Sequence, residues 1–306
     1  MEGKLSTPDW ASNLNYYHHS NVKSAPFHLH VFDKCYKRPL VKKAWEVIKL
    51  SEDKEQIQEA WRTVKLLQTK SAPMQAGTTV QKLVDAKLIT ENEDDYKTAK
   101  EEFLAYEPVD WDVRDSFKHH YYSDLIEIVA ENAISGLKEV SQQLGLNQFL
   151  GEKEYLFELP GCALPYSGRE DFESGHIELK TVWPTANERS KTGFYKKPLP
   201  KEPLDSWLGQ VAGYWYASKK SPTIVVANED DYVIFNSDNC SKLSDEYLDQ
   251  VMGSAIVTCK RRENILRKAK NVKELFELIE PDFSDWRWNN MNPDQRDLAK
   301  KLWGYK

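Results

Sequence analysis

One short segment near the middle of the chain constrains the fold more than any other. It predicts two strands joined by a tight turn at Ser174-Gly175, the first leading into Asp171 and the second carrying Glu178-Leu179-Lys180. Side chains alternate along a strand, so Glu178 and Lys180 share one face while Leu179 points into the core. Such a hairpin can bring Asp171 alongside Glu178 and Lys180.

These side chains favour chemistry on a phosphate group. Two close carboxylates repel each other unless a cation lies between them, and hard oxygen ligands suit magnesium or manganese. A lysine beside the cation can orient and help deprotonate an attacking water. Asp171, Glu178 and Lys180 therefore predict a phosphodiesterase site. The alternative is a solvated hairpin with one cross-strand salt bridge, because Glu-x-Lys is common by chance.

A second pattern lies about thirty residues downstream. Asp205 or Ser206 can cap a helix on which Gln210 and Tyr214, four residues apart, fall on one face. The continuous apolar run at 223–228 then predicts a buried strand. The predicted order is a hairpin with Asp and Glu-x-Lys, a helix with Gln-x-x-x-Tyr, and a buried strand.

In this order of motifs the chain resembles the PD-(D/E)XK nucleases, within them the RecB-like branch that includes the exonuclease of phage lambda. The match covers Gly168 to about Asn228. The resemblance implies an α/β fold with a restriction-endonuclease-like core, in which helices flank a central mixed β-sheet. Together with the helical spacing of apolar residues, it gives a predicted division into an N-terminal helical extension (1–70), a nuclease core (71–240) and a C-terminal helical region packed on the core (241–306).

The resemblance also implies roles for individual residues. Asp171 and Glu178 become metal ligands, with the backbone carbonyl of Leu179 completing a site for Mg²⁺ or Mn²⁺, and two ions are expected. Lys180 becomes the catalytic lysine. Gln210 would hold the site or the phosphate at the cleavage point.

For Tyr214 two roles stay open. The resemblance implies contact with the nucleic-acid backbone, whereas the crowding of Trp207, Trp215 and Tyr216 on the same helix favours ordinary aromatic packing.

The branch usually carries a further metal ligand, a histidine or a glutamate, on an early helix. The segment from Ser71 to Asp85 predicts that helix, but Gln81 stands where the histidine would be. A neutral amide is a weaker ligand, so Gln81 would instead bind a metal-bound water. Glu127 and Glu131 lie four apart on a helix predicted at 123–144, and either can supply the missing carboxylate, or both are solvated surface charges.

A basic stretch between the hairpin and the Gln210 helix is a candidate for DNA contact. Its cations are interleaved with aromatic residues, which fits phosphate contact together with stacking on an unpaired base. A solvated loop is the alternative. The residues concerned are Arg189, Lys191, Lys196, Lys197 and Lys201.

Composition narrows the class of protein. With 306 residues, 40% hydrophobic and 12% aromatic, the chain can bury a sizeable core. It has no apolar run of membrane-spanning length and no signal-peptide core, so we expect no membrane association and a cytoplasmic location. The formal charge of −6 describes the whole surface, and a DNA-binding cleft can differ from it.

The cysteines argue against two cofactors. Cys35, Cys162, Cys240 and Cys259 are scattered and form no Cys-x-x-Cys pair, so we expect no zinc. Some RecB-like relatives hold an iron–sulfur cluster with three close cysteines near the C-terminus. That late group is missing, so we expect no iron–sulfur cluster.

The expected activity is a metal-dependent exonuclease that acts on linear duplex DNA, serving recombination or replication in a phage and hence located in the host cytoplasm. The resemblance also implies a ring trimer and a single-strand annealing recombinase as partner. Two alternatives are a site- or structure-specific endonuclease of the same fold and a catalytically idle DNA-binding subunit. Retention of a mutually repulsive charge cluster argues against the idle subunit.

Overall fold

The structure is a computed structural model, and it describes Leu14, Val22 and residues 16–18, 26–67, 71–108, 112–187 and 193–305. Its helices, in chain order, are α1 (Phe27–Val31), α2 (Arg38–Leu50), α3 (Lys54–Leu67), α4 (Ala72–Leu88), α5 (Glu93–Leu104), α6 (Val113–Ser123), α7 (Ile126–Leu144), α8 (Asp205–Ser218), α9 (Asp245–Lys268), α10 (Val272–Leu278), α11 (Trp286–Asn289) and α12 (Pro293–Leu302). Its strands are β1 (Tyr17–His18), β2 (Lys153–Phe157), β3 (Tyr166–Glu170), β4 (Ile177–Thr181), β5 (Thr185–Ala186), β6 (Phe194–Tyr195), β7 (Thr223–Ala227) and β8 (Tyr232–Phe235).

The chain forms two compact units. Unit 1 comprises Met1–Thr69, Leu156–Ser167 and Gly253–Lys306, and unit 2 comprises Lys70–Tyr155 and Gly168–Met252. The predicted core boundary near residue 70 coincides with the start of unit 2. Most of the two predicted helical extensions belongs to one unit, whereas residues 241–252 of the predicted C-terminal region belong to unit 2.

Unit 1 is built around aromatic residues from distant parts of the chain. A π-helical segment, Phe32–Lys37, joins α1 directly to α2. Phe32 is buried against Trp288, with ring centroids 5.5 Å apart, and Trp288 donates its indole N–H to His28 Nε2 at 3.1 Å. Buried Leu29 and Ala299 complete this cluster. Such long-range packing is invisible to a local sequence pattern.

Unit 2 holds the strongest part of the sequence prediction. β7 lies between β4, to which it is parallel, and β8, to which it is antiparallel. All five β7 residues are buried, as its continuous apolar sequence predicts. The helix α8 connects β4 to the parallel β7, which requires a crossover connection of this kind.

Two helices approach the sheet of unit 2 closely at glycines. On α7, a Cβ at Gly136 would lie 2.8 Å from the Tyr232 ring and 2.9 Å from Val225 Cγ1. On α4, a Cβ at Gly77 would lie 3.4 Å from Thr181 Oγ1, at the end of β4. The absence of a side chain at Gly136 lets α7 lie against the strands, whereas the distance at Gly77 is that of an ordinary van der Waals contact.

The predicted hairpin differs from the observed arrangement. β3 pairs with β1 and β2, whereas β4 belongs to the other three-stranded sheet. Only an isolated antiparallel bridge, Phe172 to Ile177, joins the two sides of the turn. On the edge of β4 that faces away from β7, the Asp171 side chain accepts the Leu179 N–H in place of a strand carbonyl, and the turn residues Gly175 and His176 both have positive φ, 78° and 52°.

The fold class is mixed α/β, with small mixed sheets flanked by helices. Among the described strands, the predicted single central sheet is divided into two three-stranded sheets and the β5–β6 pair. Within the described parts of the chain, no helix is both long and apolar enough to cross a membrane.

Two predicted helix starts are corrected. The helix predicted at 123–144 begins at Ile126, because Asp124 and Leu125 form a turn after α6 ends at Ser123. The predicted side-chain cap of α8 is also wrong, since the N-cap residue is Leu204 and makes no side-chain cap hydrogen bond. Asp205 is the first helical residue, where a carboxylate favours the positive end of the helix dipole.

The close approach of α7 to the sheet yields a stability prediction. Gly136→Ala should destabilise the protein by about 1–3 kcal/mol, because the added methyl group overlaps Tyr232 and Val225. Gly253→Ala in α9 is the control, since its Cβ would meet nothing within 4 Å. It should stabilise the helix by about 0.5–1 kcal/mol. Urea unfolding measures both, and equal stability of Gly136→Ala and the natural protein would contradict the packing argument.

Candidate active site

β4 places an acid and a lysine side by side. Glu178 is 1% exposed and Leu179 lies in the core of unit 2, while Lys180 is half-buried. Lys180 Nζ donates to Glu178 Oε1. The two side chains therefore share one face, as alternation along the strand predicts.

Asp171 is brought to β4 by its own side chain. Asp171 Oδ2 accepts the backbone N–H of Leu179 at 2.8 Å, in place of a backbone carbonyl from a neighbouring strand. β4 is the outer strand of its described sheet. In an extended strand the N–H and C=O of one residue point to the same side, so the Leu179 carbonyl also faces the edge where Asp171 lies.

A chain of hydrogen bonds runs from Lys180 into α8. Gln210 Oε1 accepts from Lys180 Nζ at 2.9 Å, and Gln210 Nε2 donates to the Tyr214 hydroxyl at 2.6 Å. The Tyr214 hydroxyl in turn donates to the backbone carbonyl of Arg169. The structure thus brings Gln210 to Lys180.

Tyr214 is a packing residue, and a contact between this side chain and nucleic acid does not fit the structure. It is 1% exposed, and its ring lies 6.0 Å from that of Tyr155. A Cβ at Gly168 would be 3.1 Å from the Tyr214 ring, so the glycine is needed for this close approach. Of the two roles left open by the sequence, packing is the one that burial permits.

Burial makes the acids of the site costly to ionise. The pKa of Glu178 is raised to about 8, chiefly by burial, with Lys180 opposing the rise and Asp171 adding to it. Burial also raises the pKa of Asp171, while Lys180 and the Leu179 N–H oppose this effect. Glu178 Oε2 is buried without a hydrogen-bond partner among the described residues. The Tyr214 hydroxyl is close to Glu178, but its proton is directed to Arg169.

One further acid, Asp85, is affected by the charge of Asp171, and the sequence interpretation did not single it out. It lies on α4 one turn after Gln81, whose Nε2 donates to Asp85 Oδ1 at 2.9 Å. The pKa of Asp85 is raised to about 6, first by burial and also by the charges of Asp171 and Glu152, while the Gln81 hydrogen bond opposes the rise. The four-residue spacing from Gln81 was the available signal. Gln81 therefore holds Asp85, and its contact with a metal-bound water stays a prediction.

The other two candidate carboxylates lie elsewhere in unit 2. Glu127 forms an ion pair with Lys100 on α5. Burial raises the pKa of Tyr96, and the charges of Glu127 and Glu131 add to this rise. Glu131 is exposed. Neither is among the main groups that shift the pKa of Asp171 or Glu178. Both belong to the surface alternative, because the helix face that carries them is turned toward α5.

Part of the basic stretch can be placed. Lys196 forms an ion pair with Asp230, both side chains being more than half exposed. Lys197 and Lys201 are exposed. Arg189 and Lys191 lie outside the described residues.

The described residues contain no group of three His, Cys, Asp or Glu side chains arranged to hold a metal ion. The site does contain acceptors that a cation could use, above all Glu178 Oε2. The four cysteines are free thiols.

Comparison with known proteins gives little further information. No protein-family profile matches this chain, and no curated protein matches it. One similar solved structure, described as "Crystal structure of SSO0001", is 13% identical, covering 74% of this chain and 87% of that one, with a TM-score of 0.24. A likeness at this level does not establish a shared fold.

The buried glutamate predicts how stability depends on pH. The pKa of Glu178 rises from 4.5 to about 8 on folding, so the folded state binds an extra proton between these values and its stability falls as pH rises through this window. At pH 9 the ionised Glu178 destabilises the folded state, and Glu178→Gln should remove this destabilisation of a few kcal/mol, since one pKa unit is about 1.4 kcal/mol.

Urea unfolding at pH 5 and pH 9 tests this dependence without added metal. Glu178→Gln should lose less stability than the natural protein between the two conditions. Glu131→Gln, which removes an exposed carboxylate from α7, is the control. Identical pH dependence in the natural protein and Glu178→Gln would contradict the burial argument.

Proposed function

We propose that the protein is a metal-dependent deoxyribonuclease of the PD-(D/E)XK type, in the RecB-like branch. The observation that carries the proposal is the convergence of Asp171, Glu178 and Lys180 at the edge of β4, with Gln210 bonded to Lys180. The succession of β4, α8 and the parallel strand β7 supports a restriction-endonuclease-like core.

The donor set fits a divalent cation. Glu178 Oε2 is a buried acceptor without a donor among the described residues, and a buried carboxylate normally has one. Asp171, Glu178 and the Leu179 carbonyl would hold Mg²⁺ or Mn²⁺, and Asp85 adds a carboxylate for the second of two ions. When bound, the ions supply Lewis-acid stabilisation of the phosphate and lower the pKa of water.

Lys180 is positioned to assist attack on a phosphodiester. Glu178 and Gln210 accept hydrogen bonds from its ammonium group, which fixes Nζ beside both carboxylates. There it can orient the attacking water and stabilise charge on the phosphate. Gln81 holds Asp85 in a similar way.

Among nuclease activities, we favour an exonuclease on linear duplex DNA, acting in phage recombination or replication with a single-strand annealing partner and as a ring trimer. These finer points rest on the sequence resemblance. An endonuclease of the same fold is the second candidate. An idle DNA-binding subunit is less favoured, because burial of Glu178 costs stability and packing alone does not require a carboxylate there.

The deciding experiment is incubation with end-labelled linear duplex and closed circular DNA. Magnesium and manganese should support loss of the linear DNA, whereas calcium should allow binding but little hydrolysis, because its longer bonds and higher ligand number misplace the water. Nicking of circles would favour the endonuclease. Full activity in excess chelator, or no cleavage of either DNA, would overturn the metal-nuclease proposal.

Matched variants assign the carboxylates. Lys180→Ala, Asp171→Asn and Glu178→Gln should each lower cleavage by about 10²-fold or more with the fold retained. Asp85→Asn should also lower it, whereas Glu131→Gln should not. Cleavage rates measure the activity of each variant, and melting temperatures show whether the fold is retained. A cleavage rate equal to that of the natural protein in any of the first three variants would refute the role assigned to that residue.

The lysines that follow β6 should contribute to DNA binding through phosphate contacts. Changing Lys196, Lys197 and Lys201 together to Gln should lower the log–log salt slope of affinity by about two to three, since each contact contributes roughly 0.7–0.9. The control is the same change at three exposed lysines of α2, Lys42, Lys43 and Lys49, because it alters the net charge equally. An unchanged slope would contradict the DNA contact and favour the alternative, in which these residues form a solvated loop.

A further inference from the structure

The β5–β6 pair follows closely after Lys180 and is fixed at its base. Val182 donates its backbone N–H to Ala227 at 2.9 Å, which continues the pairing of β4 with β7. The Tyr122 hydroxyl on α6 donates to the Pro184 carbonyl at 2.6 Å. The pair therefore extends directly from the strand that carries Glu178 and Lys180.

A stack of aromatic rings attaches this pair to α6. The Phe194 ring lies 3.8 Å from Tyr121, with an interplanar angle of 11°, and 4.6 Å from Phe117, with an angle of 18°. Tyr121 and Phe117 are one helical turn apart on α6, and both rings are nearly parallel to that of Phe194. Phe194 is only 5% exposed.

Glycine is required beside this stack. Gly193 has φ of 74°, and a Cβ there would lie 2.6 Å from the Phe117 ring. The backbone at Gly193 therefore lies so close to the Phe117 ring that a side chain at this position would overlap it. The rings are held by packing on both α6 and β6, so ordering them on ligand binding costs little conformational entropy.

The stack ends in a ring that the protein leaves accessible. Phe117 is 46% exposed, whereas Phe194 is buried. A flat apolar ring held parallel to two others can be extended by another flat ring, and nucleobases present such a face when they are unpaired.

The surrounding charge selects the kind of ligand. Residues 193–201 include Lys196, Lys197 and Lys201 and no acidic residue. All three lysines are exposed; Lys196 is ion-paired with Asp230. Lysines beside an exposed aromatic ring suit a strand that offers phosphates and bases together. In a closed duplex the bases are already stacked, so its interior cannot use Phe117.

We propose that the stack of Tyr121, Phe194 and Phe117 is a docking surface for an unpaired end of a DNA strand, with a base stacking on Phe117. The inference rests on the proposed nuclease function for its choice of DNA. It deepens that function by specifying the form of substrate, a linear DNA whose end is single-stranded or frayed. A closed duplex has no such end.

The test is binding without catalysis. Fluorescence anisotropy in excess chelator compares a single strand of about 20 nucleotides with a duplex that is closed at both ends by short loops. The closed duplex has no free ends. Phe117→Leu should weaken single-strand binding at least about fivefold at every salt concentration, because stacking of one base is worth that much and is not a phosphate contact. Its salt slope and its binding to the closed duplex should stay unchanged.

Two controls separate stacking from other effects. Phe117→Tyr keeps the ring and should keep the affinity. Trp61→Leu removes a ring that is 42% exposed on α3 and should have no effect. Single-strand affinity within twofold of the natural protein for Phe117→Leu, or an equal loss on the closed duplex, would overturn the inference.

A second measurement covers the case in which Phe117→Leu fails to fold. A strand with 2-aminopurine at its end should lose fluorescence when it binds the natural protein, since stacking quenches this base, and Phe117→Tyr should show the same quenching. Absence of quenching would overturn the inference.

The result is independent of cleavage. Ring-dependent single-strand binding without magnesium-dependent cleavage would retain this docking surface and reject the nuclease. Magnesium-dependent cleavage together with single-strand binding that does not depend on the Phe117 ring would retain the nuclease and reject this docking surface.

Discussion

The hydrogen bond from the Leu179 N–H to the Asp171 carboxylate is the contact on which the arrangement of the site depends. β4 has its backbone partner in β7 on one side and lies at the edge of its described sheet on the other. A side-chain oxygen satisfies one N–H of that edge, so the turn from Asp171 to β4 is held with only one backbone bridge among the described residues. The same bond fixes one carboxylate beside the strand that carries the second.

The acids around this bond oppose the stability of the fold. Burial raises the pKa of Glu178, Asp171 and Asp85, and the charge of Asp171 adds to the rise at Glu178 and at Asp85. A leucine or methionine of similar volume at position 178 would avoid that cost. A costly buried cluster is therefore better explained by the cation and phosphate chemistry proposed above than by packing.

Sequence pattern predicted what depends on local geometry. Alternation placed Glu178 beside Lys180, and helical spacing placed Gln210 above Tyr214, as their hydrogen bonds require. The four-residue spacing puts Asp85 on the same helix face as Gln81, but pattern could not show which of them approaches an acid, since that depends on how α4 lies on β4. That placement is a tertiary property. The exclusion of β3 from the sheet of β4 has the same origin, because the pairing of β3 with β1, which is distant in sequence, has no local signal.

Tyr214 illustrates how a buried hydroxyl can orient the side chains around Lys180. Its hydroxyl has one proton, which goes to the Arg169 carbonyl, so toward Gln210 it can only accept. Gln210 must then direct its NH₂ group to Tyr214 and its oxygen to Lys180. The fixed direction of one hydroxyl thus sets the orientation of an amide, and the amide presents an acceptor to the lysine. Because Arg169 precedes the residues that lead to Asp171, the same hydroxyl also ties α8 to the chain just before the first carboxylate, and the lysine and the acids are positioned from a common point.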